Sequence, residues 1–114
     1  MMGARPATQF LVQALIRRAN AEGGVATVLK RGDSTAGAVL ILAMERGRTA
    51  GFLERGLGPD GAPTLVHSGP KSAESEAEIS EYWAKRCRND PDLWVVELDI
   101  ADPEPFAADL LLFG

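Results

Sequence analysis

Apolar residues return at helical spacing early in the chain. Leu11, Val12, Leu15, Ile16 and Ala19 fall on one face, with Gln13, Arg17 and Asn20 opposite, which predicts a helix over Thr8–Glu22. Thr8 is the expected N-cap, and Gly23-Gly24 supplies the stop. The period then changes. Val25–Lys30 is β-branched and apolar, as a strand requires. Ala38–Met44 is apolar on both alternating sets, the mark of a central strand covered on both sides. Arg46-Gly47 reads as a tight turn into a strand over Arg48–Glu54, Arg55–Pro63 as a Gly/Pro loop, and Thr64–Ser68 as a short edge strand.

A second helix opens with Ser75 and Glu78 in the capping-box spacing. Glu74, Glu76, Glu78 and Glu81 crowd its first half and Lys85, Arg86 and Arg88 its second, a polarity that complements the helix dipole. Its apolar stripe is Ile79, Tyr82, Trp83 and Cys87, and Asp90-Pro91 ends it. Leu93–Ile100 alternates with period two, Trp94, Val96, Leu98 and Ile100 on one side and Glu97 and Asp99 on the other. After the breaker Asp102-Pro103-Glu104-Pro105, Phe106–Phe113 reads as a short docking helix.

The predicted fold is α+β in the order α-β-β-β-β-α-β-(α). It is a mostly antiparallel sheet of four or five strands with the two main helices packed on one face. The other face of Ala38–Met44 then needs cover, from Leu110–Phe113 or a second subunit. At 114 residues the chain suits a single domain over 1–114, with residues 1–7 and the tail from 101 to 114 peripheral.

Composition narrows the function classes. With 46% hydrophobic and 25% charged residues the chain is ordinary globular material, and its longest apolar run is far short of a membrane helix. A single cysteine excludes an intrachain disulfide and a cysteine-rich zinc site, and MMGARPATQF carries no secretory pattern; both point to a reducing cytoplasm. The net charge of −4 argues against general attraction to nucleic acid or acidic lipid.

Several motifs invite chemistry and fail on context. Gly56–Gly61 matches G-x-G-x-x-G, but Pro59 interrupts it and a strand, not a helix, follows. Gly32–Gly37 has phosphate-loop glycine spacing without the Lys-Ser/Thr that contacts phosphate and magnesium. Arg31-Gly32-Asp33 spells an adhesion tripeptide in a chain without a secretion signal. His67 and Cys87 lack an orienting third group, and Asp99, Asp102 and Glu104 lack calcium-loop spacing. No catalytic residue, metal site or cofactor is assigned.

Two readings keep some weight. Arg17, Arg18, Lys30 and Arg31 with Ser34 and Thr35 form a candidate anion site, against the simpler account of cations at a helix C-terminus and pairs about 20 Å apart along a strand. Arg86 interrupts the apolar stripe of the second helix, so its guanidinium must pair, stack on an aromatic ring or reach water along its stem; a structural pair with an acid such as Asp33 or Asp90 is expected first and an anion-binding role second.

The runs ALIRRANAEGGVATVLKRGDSTAGAVLIL (14–42) and DPDLWVVELD (90–99) resemble domain-of-unknown-function family 1491, small, mainly alphaproteobacterial proteins. The likeness lies in the paired arginines and Gly-Gly closing the first helix, the Arg31-Gly32-Asp33 loop and the Asp90–Trp94 entry to the last strand. Residues 55–71 match least. The resemblance implies an uncharacterised cytoplasmic protein and carries no site residues. The first expectation is a non-enzymatic interaction or regulatory module whose partner is a protein, a second copy included. The alternative is a ligand-binding protein or small enzyme for a phosphorylated or carboxylated metabolite. Membrane and nucleic acid are not expected partners.

Overall fold

The run apolar on both alternating sets lies in the middle of a five-stranded sheet. The elements in chain order are α1 (Thr8–Ala21), β1 (Val25–Lys30), β2 (Val39–Glu45), β3 (Arg48–Leu57), β4 (Pro63–Ser68), α2 (Glu76–Asn89), β5 (Trp94–Asp99) and α3 (Pro103–Phe113). The computed structural model describes residues 6–70 and 75–113. Residues 1–5 and Glu74, which figured in the sequence reading, lie outside them.

The strand order is β1-β5-β2-β3-β4. Every neighbouring pair is antiparallel except β2 and β5, which run parallel, Leu40 beside Val95 and Leu42 beside Glu97. A parallel neighbour needs a crossover, and α2 supplies it on the way from the edge strand β4 to the interior strand β5.

The two main helices do not share a face, contrary to the sequence expectation. Val39, Ile41, Ala43, Leu53, Val96 and Leu98 face α1 and α3, whose Leu11, Leu15, Ala19, Phe106, Leu110 and Leu111 complete one core. Leu40, Leu42, Phe52 and Val95 face the other way, against Ile79 and the half-buried Tyr82, Trp83 and Cys87 of α2. The C-terminal run therefore joins α1, and α2 covers the second face. α3, with four apolar residues buried in the first core besides Pro103, is an integral layer rather than peripheral. Its strongly apolar surface takes the larger core, and the narrow stripe of α2 suffices for the smaller one.

Local expectations meet two further corrections. The N-cap of α1 is Ala7, with no side-chain bond; Thr8 sits one position inside, buried, its hydroxyl donating to the Gly37 carbonyl at 2.7 Å. By contrast Ser75 does cap α2, accepting the Glu78 N–H at 3.3 Å. β3 continues three residues past Glu54, pairing Arg55 with Leu65 and Leu57 with Pro63. Gly56 thus lies in a strand and Gly58–Gly61 in its hairpin turn. At the end of α1, Gly23 adopts φ 85° and the Gly24 N–H returns to the Ala19 carbonyl at 2.8 Å, the glycine stop expected.

Candidate functional site

The residues of the candidate anion site fall into three separate places. Lys30, Arg31, Ser34 and Thr35 surround the connection from β1 to β2. Arg17 and Arg18 lie toward the far end of α1, whose start is bonded to that connection (Thr8 N–H to Thr35 O at 3.1 Å, Gln9 N–H to Ser34 O at 2.9 Å). Arg86 is on the opposite face of the sheet.

The first group serves a latch between the two sequence runs 14–42 and 90–99. Lys30 Nζ donates to the carbonyls of Pro91 at 2.8 Å, Arg31 at 3.2 Å and Leu93 at 3.3 Å. The Arg31 guanidinium lies 5.3 Å from the Trp94 ring centroid, and Trp94 Nε1 donates to the Asp33 carbonyl at 2.7 Å. The Asp33 carboxylate accepts the N–H groups of Thr35 and Ala36, the turn chemistry that suits aspartate. Gly32 and Gly37 are required by close approach, since a Cβ on either would lie 2.1 or 2.2 Å from the Asp92 carbonyl oxygen. The two runs thus hold the β1–β2 connection against the entry to β5.

Arg18 ties α1 to α3. It donates to Asp109 at 2.7 Å, lies 5.5 Å from the Phe106 ring and approaches Glu22 at 3.9 Å. Arg17 is exposed.

Arg86 does pair with an acid, but with Glu54 of β3 rather than Asp33 or Asp90. The contact is bidentate, at 2.7 and 2.8 Å, and Arg86 also donates to the Tyr82 hydroxyl at 2.9 Å. The Ser68 hydroxyl donates to the same carboxylate. Burial pushes the Glu54 carboxyl upward, but the bonds from Arg86 and Ser68 and the guanidinium charge outweigh it and leave the pKa lowered. The Arg86 pKa is raised, chiefly by the bond to Glu54. A carboxylate held this firmly in its ionised form is a poor proton acceptor, so the network suits bracing better than acid–base chemistry.

The cleft that leaves polar capacity open lies on the face of α1 and α3, at the end where α1 begins and α3 finishes. It holds about 330 Å³, is floored by Ala38 and Val39 of β2, and is walled by Thr8, Leu11, Leu111 and Arg55. Thr35 of the predicted set lines its edge. Of the five large exposed apolar residues among the described residues, three lie on the elements that wall it, though outside its lining: Phe10 in the first turn of α1, Leu57 two residues past Arg55 on the same strand face, and Phe113 in the last turn of α3. Arg55 is exposed and makes no ion pair among the described residues. The sequence reading missed Arg55 and Leu57 because the glycines at 56, 58 and 61 and the prolines at 59 and 63 suggested a loop over Arg55–Pro63. The alternation Leu53, Arg55, Leu57 was the available signal.

The remaining candidates lie apart. His67 points to the α3 face, donating to Glu104 at 2.6 Å, whereas Cys87 packs on the α2 face. Asp99 accepts the Gly47 N–H at 3.2 Å. Among the described residues no three His, Cys, Asp or Glu side chains group closely enough to hold a metal ion, and no helix is long and apolar enough to cross a membrane.

Three solved structures are similar to this one. A crystal structure of a DUF1491 family protein from Caulobacter crescentus CB15 has a TM-score of 0.75 at 34% identity, covering 90% of this chain and 94% of that one. An NMR structure of a DUF1491 family protein from the same organism has a TM-score of 0.71 at 36% identity, covering 91% and 94%. A solution structure of a protein from A. tumefaciens has a TM-score of 0.65 at 26% identity, covering 96% and 94%. No curated protein matches the chain. The family model for DUF1491, a protein of unknown function, matches residues 7–108. With the family model matching residues 7–108 and the fold and nearly the whole length in agreement, the chain belongs to the DUF1491 family.

Proposed function

We propose that this protein is a non-enzymatic interaction module, and that the cleft between the start of α1 and the end of α3 receives a short segment of a partner protein. The observation that carries this is a cleft of mixed polarity walled by α1, β3 and α3, the same elements that carry the exposed Phe10, Leu57 and Phe113, together with an Arg55 guanidinium that makes no ion pair among the described residues. Desolvating an apolar patch drives association, and a cation at its rim selects what docks. Charge complementarity sets the occupant: apolar side chains next to a carboxylate. Neighbouring Glu54 does not cancel Arg55, since its carboxylate is engaged by Arg86. Elsewhere the charged groups of the latch and of the Arg86 network are satisfied within the fold.

A random-peptide display selection on the whole protein tests this. Enriched peptides should combine apolar and acidic residues and should lose binding at least about tenfold in Arg55→Glu and in Leu57→Ser, but not in Lys85→Ala. Peptides indifferent to both changes, or no enrichment, would overturn the reading. A melting temperature raised by a phosphorylated or carboxylated metabolite, and no longer raised in Arg31→Ala, would favour the metabolite alternative instead.

A further inference from the structure

We propose that β1 is a self-association edge, through which two copies pair antiparallel about a two-fold axis and join their sheets into one. This surface is distinct from the cleft and does not rest on it.

An edge strand presents alternate N–H and C=O groups outward, and only another extended backbone matches them in series. The two edges of this sheet are guarded differently. β4 starts at Pro63, is followed by Pro70, and is covered by α3, whose Glu104 bonds its His67. β1 has no proline, and no charge from Val25 to Leu29. Its one charged residue, Lys30, would be the natural guard, but its ammonium is drawn back onto the carbonyls of Arg31, Pro91 and Leu93. Val25 and Val28 are 58% and 38% exposed.

The strand's own pattern selects a second copy and a register. Residues opposite each other must lie on the same face of a continuous sheet, so the two-fold axis must pass through a residue rather than between two. Centring on Thr27 matches the longest run. It sets Thr27 against Thr27 of the second copy and Ala26 against Val28, both favourable cross-strand pairs. The ladder to β5 is regular through this stretch and slips only between Val28 and Lys30. The strip ends at the exposed Arg31, one residue past β1, and at the exposed Glu22, three residues before it, and an antiparallel two-fold pairing brings these opposite ends toward one another twice. A chain of net charge −4 repels its copy in general, but here a neutral strip is flanked by opposite charges.

Sedimentation of the full chain up to ~1 mM tests this, as millimolar affinity is the weakest that would matter. A monomer–dimer equilibrium is expected. Thr27→Lys places two ammonium groups face to face at the axis and should weaken the dimer at least about tenfold. Val28→Lys should act the same way, and Thr64→Lys on β4 should not. Far-UV circular dichroism and melting temperature, unchanged in the lysine variants, separate lost pairing from lost folding. A wild type that stays monomeric throughout, or a dimer that neither β1 substitution weakens, would overturn the proposal.

Discussion

On one face of the sheet α1 and α3 bury Leu15, Ala19, Phe106 and Leu110 against Ile41, Val96 and Leu98; on the other, α2 buries only Ile79 outright. Yet α2 is the helix tied to the sheet by a bidentate ion pair, Arg86 to Glu54, with Tyr82 of the same helix and Ser68 completing the network. Burial is non-directional and grows with area, so the larger face holds its helices mainly by packing, to which Thr8–Gly37, Arg18–Asp109 and His67–Glu104 are added. A helix with one buried side chain could slide or rotate at little cost, and a bidentate ion pair with fixed geometry removes that freedom. The two faces separate how strongly an element is held from how uniquely it is placed.

The largest expected effect is on the packed face. Leu15→Ala empties a fully buried position and should lower stability by about 3 kcal/mol in urea denaturation. A loss below about 1 kcal/mol would show that α1 contributes far less than its burial suggests.

On the α2 face, Arg86→Ala should cost roughly 2 kcal/mol. That is below the range for a fully buried pair, because the partners keep 29% and 18% exposure. The double change Glu54→Gln with Arg86→Met should cost less than Arg86→Ala alone, since no half-buried carboxylate is then left unpaired. A double variant worse than the single one would mean that the pair itself supplies most of the stability.

The same pair has a pH signature. The folded Glu54 carboxyl titrates below the ordinary glutamate value of 4.5, held down against burial by Arg86 and Ser68, so its stabilisation is complete above that value and is lost as pH falls through the lower folded value. The stability gap between wild type and Glu54→Gln should be constant at neutral pH and close below pH 4.5. A gap that widens on acidification would reverse the assignment. The smallest effect is at the start of α2, where Ser75→Ala removes the cap and should cost about 1 kcal/mol by the same denaturation.

Much of the fold was legible in the residues. The bounds of β1, the glycine stop of α1, the Ser75 cap and the double-sided burial of Val39–Ala43 all follow from period, propensity and capping, which act within a few residues. The cleft was less legible. Leu111 was visible as part of an apolar tail and Thr35 as part of a loop, but nothing local places them beside Arg55. Thr8 shows the limit well: its type suits an N-cap, and a buried bond to Gly37, 29 residues away, overrode that preference.

What the amino-acid order determined by itself is the kind and approximate extent of each element, and the demand that β2 be covered twice. Only the tertiary structure decided which helix lies on which face, that β5 enters between β1 and β2, and that Arg86 meets Glu54. Those outcomes turn on contacts 32 residues apart for Arg86 and Glu54 and 61 for Trp94 and Asp33, and such contacts form only where whole faces compete for the same apolar surface. A periodicity states that a face must be buried. It does not state against what.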